Sequence, residues 1–142
     1  MISSAEEFKR LRTSENLEEQ QLSAIESADI KVWYDVIQKF PELKKWVVQN
    51  KTIQIEVLEH LVSDKDDKVR YAIARKRKIN NRIFDILKSD SDESVRHALI
   101  CNTKLTLDLK KKIKTDDSDW LRNELNEKIK TGANTGNRCT TH

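Results

Sequence analysis

The stretch SDKDDKVRYAIARKRKI at residues 63–79 returns in altered form as SDSDESVRHALICNTKL at residues 89–105. The two copies lie 26 residues apart and keep the same order of acidic, apolar and basic positions. A phrase repeated at a fixed spacing indicates a structural unit that buries its apolar face against copies of itself. The repeat therefore decides the fold, and it bears on function only through the fold.

The 26-residue spacing extends beyond these two copies. It connects four apolar–basic pairs, which are Leu43-Lys44, Val69-Arg70, Val95-Arg96 and Leu121-Arg122. Three apolar columns keep the same period: Val47, Ile73, Leu99 and Leu125; Ile53, Ile79 and Leu105; Leu61, Leu87 and Ile113. Columns of this kind predict a core that runs through stacked repeats.

Composition favours helices throughout. Only 37% of the residues are hydrophobic and 36% are charged, while two Gly and one Pro leave little material for the turns between strands. Each copy divides into two short helices, with Thr106 as the expected cap of one and a capping box of Ser4 and Glu7 near the start of the chain. The sequence therefore predicts an all-α fold.

The pattern also predicts the organisation of the chain. We expect an N-terminal helical cap over residues 1–28, a repeat region over residues 29–130 and a flexible tail over residues 131–142, where apolar residues are scarce. No apolar run approaches the length of a membrane span, and the first residues lack the apolar stretch of a secretion signal. These features predict a soluble, cytoplasmic protein with no membrane partner.

The phrases DDKVRYAIARK and DESVRHALICN resemble bacterial HEAT-like repeats and the related leucine-rich repeat variant. The resemblance covers about residues 42–130, with Lys44 and Glu124 departing from the pattern in the outer copies. It implies a curved α-solenoid of about four helix pairs, in which the helices that begin with Val-Arg line the concave face.

The same resemblance implies a function. HEAT-like proteins are mostly binding surfaces, so we expect a non-enzymatic protein-binding module that is monomeric on its own, such as an inhibitor, an immunity protein or an adaptor. The alternative is a HEAT-like protein that binds nucleic acid, with or without base-excision activity. The identity of the protein partner stays open.

Three arginines, Arg70, Arg96 and Arg122, follow Asp-rich turns at the repeat spacing. The expected carboxylate partners in these turns are Asp64 and Asp66, Asp90 and Asp92, and Asp116 and Asp119. Bidentate pairing between a guanidinium and a carboxylate would connect adjacent repeats, so we expect a structural ladder. The alternative interpretation is a row of basic residues along a binding groove.

The densest basic cluster is RKRK, which comprises Arg75, Lys76, Arg77 and Lys78 at the end of a predicted helix. Cations at that position offset the negative end of the helix dipole. They would also serve as phosphate contacts, although the helix-end stretches VVQN and LICN of the neighbouring copies are uncharged.

Positions next to the ladder change in chemistry from copy to copy. They predict a partner-binding row of Lys45, Tyr71, His97 and Asn123, with Gln49, Arg75 and Cys101 one helical turn further along. Tyr71 and Arg75 are the expected anchors, because aromatic and Arg side chains contribute most at interfaces. Surface drift would produce the same variety.

No pattern indicates catalysis. His97 and Cys101 have the spacing of half a metal site, but no second pair supplies further ligands. A glycine-rich phosphate loop is missing, and no nucleophile has an evident base. We therefore expect no metal, no cofactor and no enzymatic activity.

Overall fold

The computed structural model describes residues 1–132 of the chain, and this part is helical. Its α-helices are α1 (Ala5–Arg12), α2 (Leu17–Ile25), α3 (Ile30–Lys39), α4 (Lys44–Gln49), α5 (Ile55–Leu61), α6 (Asp67–Ala74), α7 (Asn81–Leu87), α8 (Glu93–Cys101), α9 (Leu107–Lys110) and α10 (Asp119–Thr131). A 3₁₀ turn, Pro41–Leu43, precedes α4, and residues 1–132 contain no β-strand. The predicted all-α class is confirmed, whereas the solenoid stays a prediction.

The chain divides into two compact units, Met1–Leu61 and Val62–His142. The predicted division into cap, repeat region and tail stays a prediction. Helix α10 continues through Thr131, and Gly132 ends it in the left-handed conformation with a φ of 64°. The rest of the predicted tail, residues 133–142, lies outside the described residues. Among the helices described, none is both long and apolar enough to cross a bilayer.

In the first unit, α1 packs against α2 and α3. Phe8 and Trp33 are fully buried and meet edge to face, with their ring centroids 5.2 Å apart. Ser4 caps α1 by accepting the N–H of Glu7 at 3.0 Å, as the capping box predicts. The Glu7 carboxylate accepts from the N–H of Ser3 at 2.9 Å, one residue earlier than a capping box requires.

In the second unit, α8 contacts α6 on one side and α10 on the other. Aspartates start two of these helices: the Asp66 carboxylate accepts the N–H of Lys68, and that of Asp92 accepts the N–H of Ser94. Ser118 caps α10 in the same way. The Asp-rich turns therefore exist largely because the first N–H groups of each helix need acceptors.

The apolar columns form the cores. All their members are buried except Ile79, which is half-buried. Burial of Ile73 and Leu99 on neighbouring helices of the second unit explains how helices of eight or nine residues persist, because isolated helices of this length are marginal in water.

Replacing Ile73 by Ala should reduce the free energy of unfolding by about 2–5 kcal/mol, because the change leaves a cavity at a fully buried position. Ile86→Ala is the matched control: the same atoms are lost from a side chain that is 40% exposed, so the effect should be below about 1 kcal/mol. Urea unfolding followed by circular dichroism measures both. Equal effects of the two changes would contradict the assigned core.

Candidate functional site

Arg70 on α6 joins the two loops that precede α6 and α8. Its Nε donates to Oδ2 of Asp90 at 2.8 Å, and a second nitrogen donates to Oδ1 of Asp90 at 3.3 Å. A third nitrogen donates to the carbonyl oxygen of Asp64 at 2.7 Å. The Asp90 carboxylate raises the pKa of Arg70. This contact pairs the N-terminal end of α6 with the N-terminal end of α8.

Arg96 on α8 repeats the arrangement toward α10. Its guanidinium is fully buried and donates to both carboxylate oxygens of Asp117, at 2.7 and 3.0 Å, and to the carbonyl of Lys114 at 2.8 Å. These hydrogen bonds lower the pKa of Asp117. The carboxylate that pairs is thus Asp117, not Asp116 or Asp119 of the same turn.

Arg122 makes contacts within its own segment. Its guanidinium donates to the carbonyls of Thr115 and Asp116 and pairs with the carboxylate of Asp119. Arg70 and Arg96 each reach the loop before the next long helix, whereas Arg122 contacts only its own segment, so the ladder of three arginines stays a prediction. The guanidinium groups of Arg70 and Arg96 are largely enclosed by these contacts, whereas the Arg122 side chain is 42% exposed.

Two asparagines make a second kind of tie at the helix C-terminal ends. In the second unit, Nδ2 of Asn102 donates to the carbonyls of Ala74 and Lys76, both at 2.9 Å, while Oδ1 accepts the N–H of Lys104 at 3.0 Å. This side chain connects the ends of α6 and α8. Within the first unit, Asn50 uses its amide in the same way.

The Asn50 amide donates to the carbonyls of Ser23 and Glu26 at 2.9 Å, and its oxygen accepts the N–H of Thr52 at 2.8 Å. Sequence reasoning missed both ties. Their signal was present, since Asn50 and Asn102 lie two repeat periods apart.

These contacts establish that α6 and α8 run parallel and in register. Arg70 and Asp90 join their starting ends, whereas Asn102 joins their finishing ends. The loops that follow α6 and α8 therefore lie side by side at one edge of the second unit. The acidic turns gather at the opposite edge.

The predicted partner-binding row has mixed surroundings in the second unit. Tyr71 is 38% exposed, and the guanidinium of Arg75 lies 5.7 Å from its ring centroid. His97 is half-buried instead, because its ring stacks on Trp120 at 4.4 Å and its Nε2 lies 3.3 Å from a Glu124 oxygen. His97 is thus packed against α10.

The other members of the row vary in exposure. Sγ of Cys101 lies 3.6 Å from Nε2 of His97, and Asn123 is exposed. In the first unit, Lys45 lies with its ammonium 5.2 Å from the centre of the Trp46 ring, and Gln49 is exposed. Partner binding by this row stays a prediction.

In residues 1–132 no cluster of His, Cys, Asp and Glu side chains is arranged to hold a metal ion.

The basic cluster splits into exposed and partly buried members. Arg75, Arg77 and Lys78 are exposed, whereas Lys76 is half-buried. Burial, reinforced by the nearby charge of Lys78, lowers the pKa of Lys76 to about 8. Phosphate binding by these four residues stays a prediction.

The repeat register adds a residue that the predicted cluster lacks. A shift of 26 residues pairs RKRK with QNKT at residues 49–52 and CNTK at residues 101–104, rather than with VVQN and LICN. The second of these stretches contributes Lys104, which is exposed. Because Asn102 joins the two loops, Lys104 lies beside the cluster that follows α6.

A family model matches most of the chain. The family model described as mitochondrial ribosomal protein S23 matches residues 8–134 of the chain. No curated protein and no solved structure matches the chain significantly.

The family match overturns the resemblance to bacterial HEAT-like repeats and the leucine-rich repeat variant, which is wrong for this chain. The features behind that resemblance were Asp caps, a Val-Arg pair and a small apolar face. Short helices packed side by side need caps, polar ties and close-packing residues whatever their ancestry. The shared motif therefore reflects what short packed helices require, and it is not evidence of common ancestry with HEAT-like repeats.

Three further expectations are corrected by the same finding. The immunity, inhibitor or adaptor role is wrong, because the family is ribosomal. Assignment to the HEAT-like nucleic-acid binders with base-excision activity is wrong for the same reason. The cytoplasmic localisation of a bacterial protein is also wrong, because the family is mitochondrial.

Replacing Asp117 by Asn should reduce stability at neutral pH, because buried Arg96 loses its carboxylate partner. The Arg96 contact holds the pKa of Asp117 below its ordinary value of 3.8. Its stabilisation is therefore complete above the ordinary value and lost as pH falls through the lowered one. The stability gap between parent and variant should stay constant from pH 7 to about 5 and narrow below pH 3.8.

Urea unfolding at a series of pH values measures this gap. Asp116→Asn is the control, since it removes a charge from the adjacent exposed position in the same turn. A gap for Asp117→Asn that is independent of pH down to the acid limit, or one that the control reproduces, would contradict the assigned pairing.

Replacing Asn102 by Ala should cost about 2–3 kcal/mol of unfolding free energy, because three hydrogen bonds are lost and the carbonyls of Ala74 and Lys76 lose their donor. Asn126→Ala, at an exposed position on α10, should change stability by less than about 0.5 kcal/mol. Thermal and urea unfolding test this prediction. Similar values for both variants would show that the Asn102 tie contributes nothing.

Proposed function

Because the chain belongs to the mitochondrial ribosomal protein S23 family, we propose that it is a structural component of the small subunit of the mitochondrial ribosome. The observation that carries this proposal is the extent of the family match, which runs from residue 8 to residue 134 and so spans both compact units. The role is non-enzymatic: the chain contributes binding surfaces and stability to an assembly.

The proposal sets the location and the partners. The protein functions in the mitochondrial matrix, where its partners are ribosomal RNA and other proteins of the small subunit. More than a third of the residues are charged, which supplies polar contacts for RNA and for protein neighbours.

The distribution of exposed apolar residues supports a protein neighbour as well. In α2 of the first unit, Leu17 is 67% exposed and Ile25 is 49% exposed. Exposed apolar side chains mark protein contacts where they form a contiguous patch, and α2 carries three within nine residues, namely Leu17, Leu22 and Ile25. The protein contacts of the proposed assembly would thus include the first unit.

The test is sedimentation of an epitope-tagged chain in lysates of mitochondria from the organism that encodes it. We expect the tagged protein to enter the gradient with the small subunit and to remain there in a magnesium-containing buffer of moderate salt. A destabilised Ile73→Asp variant, which buries a charge in the core, should be lost from that fraction. Recovery of the parent chain at the top of the gradient, or with the large subunit, would contradict the proposal.

A further inference from the structure

One edge of the second unit collects exposed cations from two neighbouring loops. Four residues make up this basic edge, namely Arg75, Arg77, Lys78 and Lys104, and each of them is exposed. The first three follow α6 and the fourth follows α8. The Asn102 amide holds these loops together through the carbonyls of Ala74 and Lys76.

Acidic residues are scarce in the two loops of the basic edge, although exposed Glu127 on α10 lies two repeat periods beyond Arg75. Between Ala74 and Asp85 the chain carries no acid, and Asp108 at the start of α9 is the first acid after Lys104. The Asp-rich turns lie at the other end of α6 and α8. Helix α6 has eight residues and so separates the two edges by about 12 Å.

This separation decides how the charges act in solution. The Debye length is about 8 Å at physiological ionic strength, so exposed charges on opposite edges are largely screened from one another. Although acidic and basic residues alternate along the sequence, the fold separates them, so the basic edge is locally cationic. Helix direction adds to the effect, because the negative ends of the parallel α6 and α8 dipoles favour cations there.

The chemistry of the edge selects a polyanion rather than an ordinary protein surface. Protein interfaces are organised around buried aromatic and aliphatic anchors. The exposed large apolar residues of the described second unit are Tyr71, Ile86 and Ile129, and none lies in the loops of the basic edge. Apart from the Tyr71 ring, whose centroid lies 5.7 Å from the Arg75 guanidinium, the edge offers charged side chains, and these match contacts to phosphate groups.

We propose that the basic edge binds the phosphate backbone of ribosomal RNA, with Arg75, Arg77, Lys78 and Lys104 as the contacting residues. This inference rests on the proposed function for the identity of its partner. Binding is electrostatic and independent of base sequence, because the four side chains carry charge on flexible stems and the loops supply no rigid platform for base edges. The Asn102 tie positions the two loops and makes no RNA contact itself.

The experiment compares two variants of the 142-residue chain that lose equal charge. The edge variant carries Arg75→Gln, Arg77→Gln, Lys78→Gln and Lys104→Gln. The control variant carries Lys65→Gln, Lys68→Gln, Lys111→Gln and Lys112→Gln, which are four exposed lysines in the segments of the acidic edge. Circular dichroism and thermal unfolding establish that both variants keep the parent fold.

The probe is a fluorescently labelled RNA hairpin, titrated at several salt concentrations. For the edge variant we expect at least about a tenfold loss of affinity and a salt slope smaller by about 3, since each phosphate contact contributes roughly 0.7–0.9 to the slope. The control variant should lose much less. Equal losses in both variants would show that only net charge matters and would overturn the proposal.

A second arm separates RNA from an acidic protein. Poly-aspartate carries one charge per about 3.5 Å of extended chain, against about 1.7 Å along a nucleic-acid duplex, so it should compete with the hairpin only weakly at matched charge concentration. Equal competition would overturn the RNA assignment. Sedimentation distinguishes the two levels of inference. A parent chain that leaves the small-subunit fraction would contradict the proposed function. A parent that stays there and binds the hairpin no better than the edge variant would overturn the basic edge alone.

Discussion

Helices α6 and α8 are held side by side by one polar tie at each of their two ends, and the second unit depends on this constraint. Arg70 reaches Asp90 at one end, and Asn102 reaches the carbonyls of Ala74 and Lys76 at the other. Each helix has only eight or nine residues, too few for independent stability. The ties fix the register of the helices, so the apolar columns meet in a single arrangement.

Parallel packing also determines where charge can accumulate. Like ends of neighbouring helices lie together, so their unsatisfied N–H groups share one edge and their unsatisfied carbonyls share the other. Asp66 and Asp92 satisfy the N–H groups, while cations are favoured beside the carbonyls. The formal net charge of the chain is only +3, yet the second unit has one acidic edge and one basic edge. Such segregation is a consequence of helix direction and needs no excess of basic residues.

The sequence predicted what depends on local signals and on the repeat period. Helical class, the caps at Ser4 and Thr106 and the buried columns all follow from spacing and residue type. Ion-pair partners on neighbouring loops were harder to predict. Arg96 pairs with Asp117 rather than with its neighbours because loop geometry decides which carboxylate arrives, and the period does not encode that geometry. The predicted family was wrong, because unrelated proteins built from short packed helices need the same caps and apolar positions.

The register also explains why the loop after α6 differs from its counterparts. Lys76 occupies the position that Asn50 and Asn102 occupy in the adjoining copies. An asparagine amide both donates to carbonyls and accepts an N–H, whereas an ammonium group has no acceptor and cannot reproduce that tie. In both ties the amide donates back to the preceding segment: Asn50 binds the carbonyls of Ser23 and Glu26, and Asn102 binds those of Ala74 and Lys76. Asn102 thus holds the loop that carries Arg75, Arg77 and Lys78 beside the loop that carries Lys104, so one buried amide determines which cations share the basic edge.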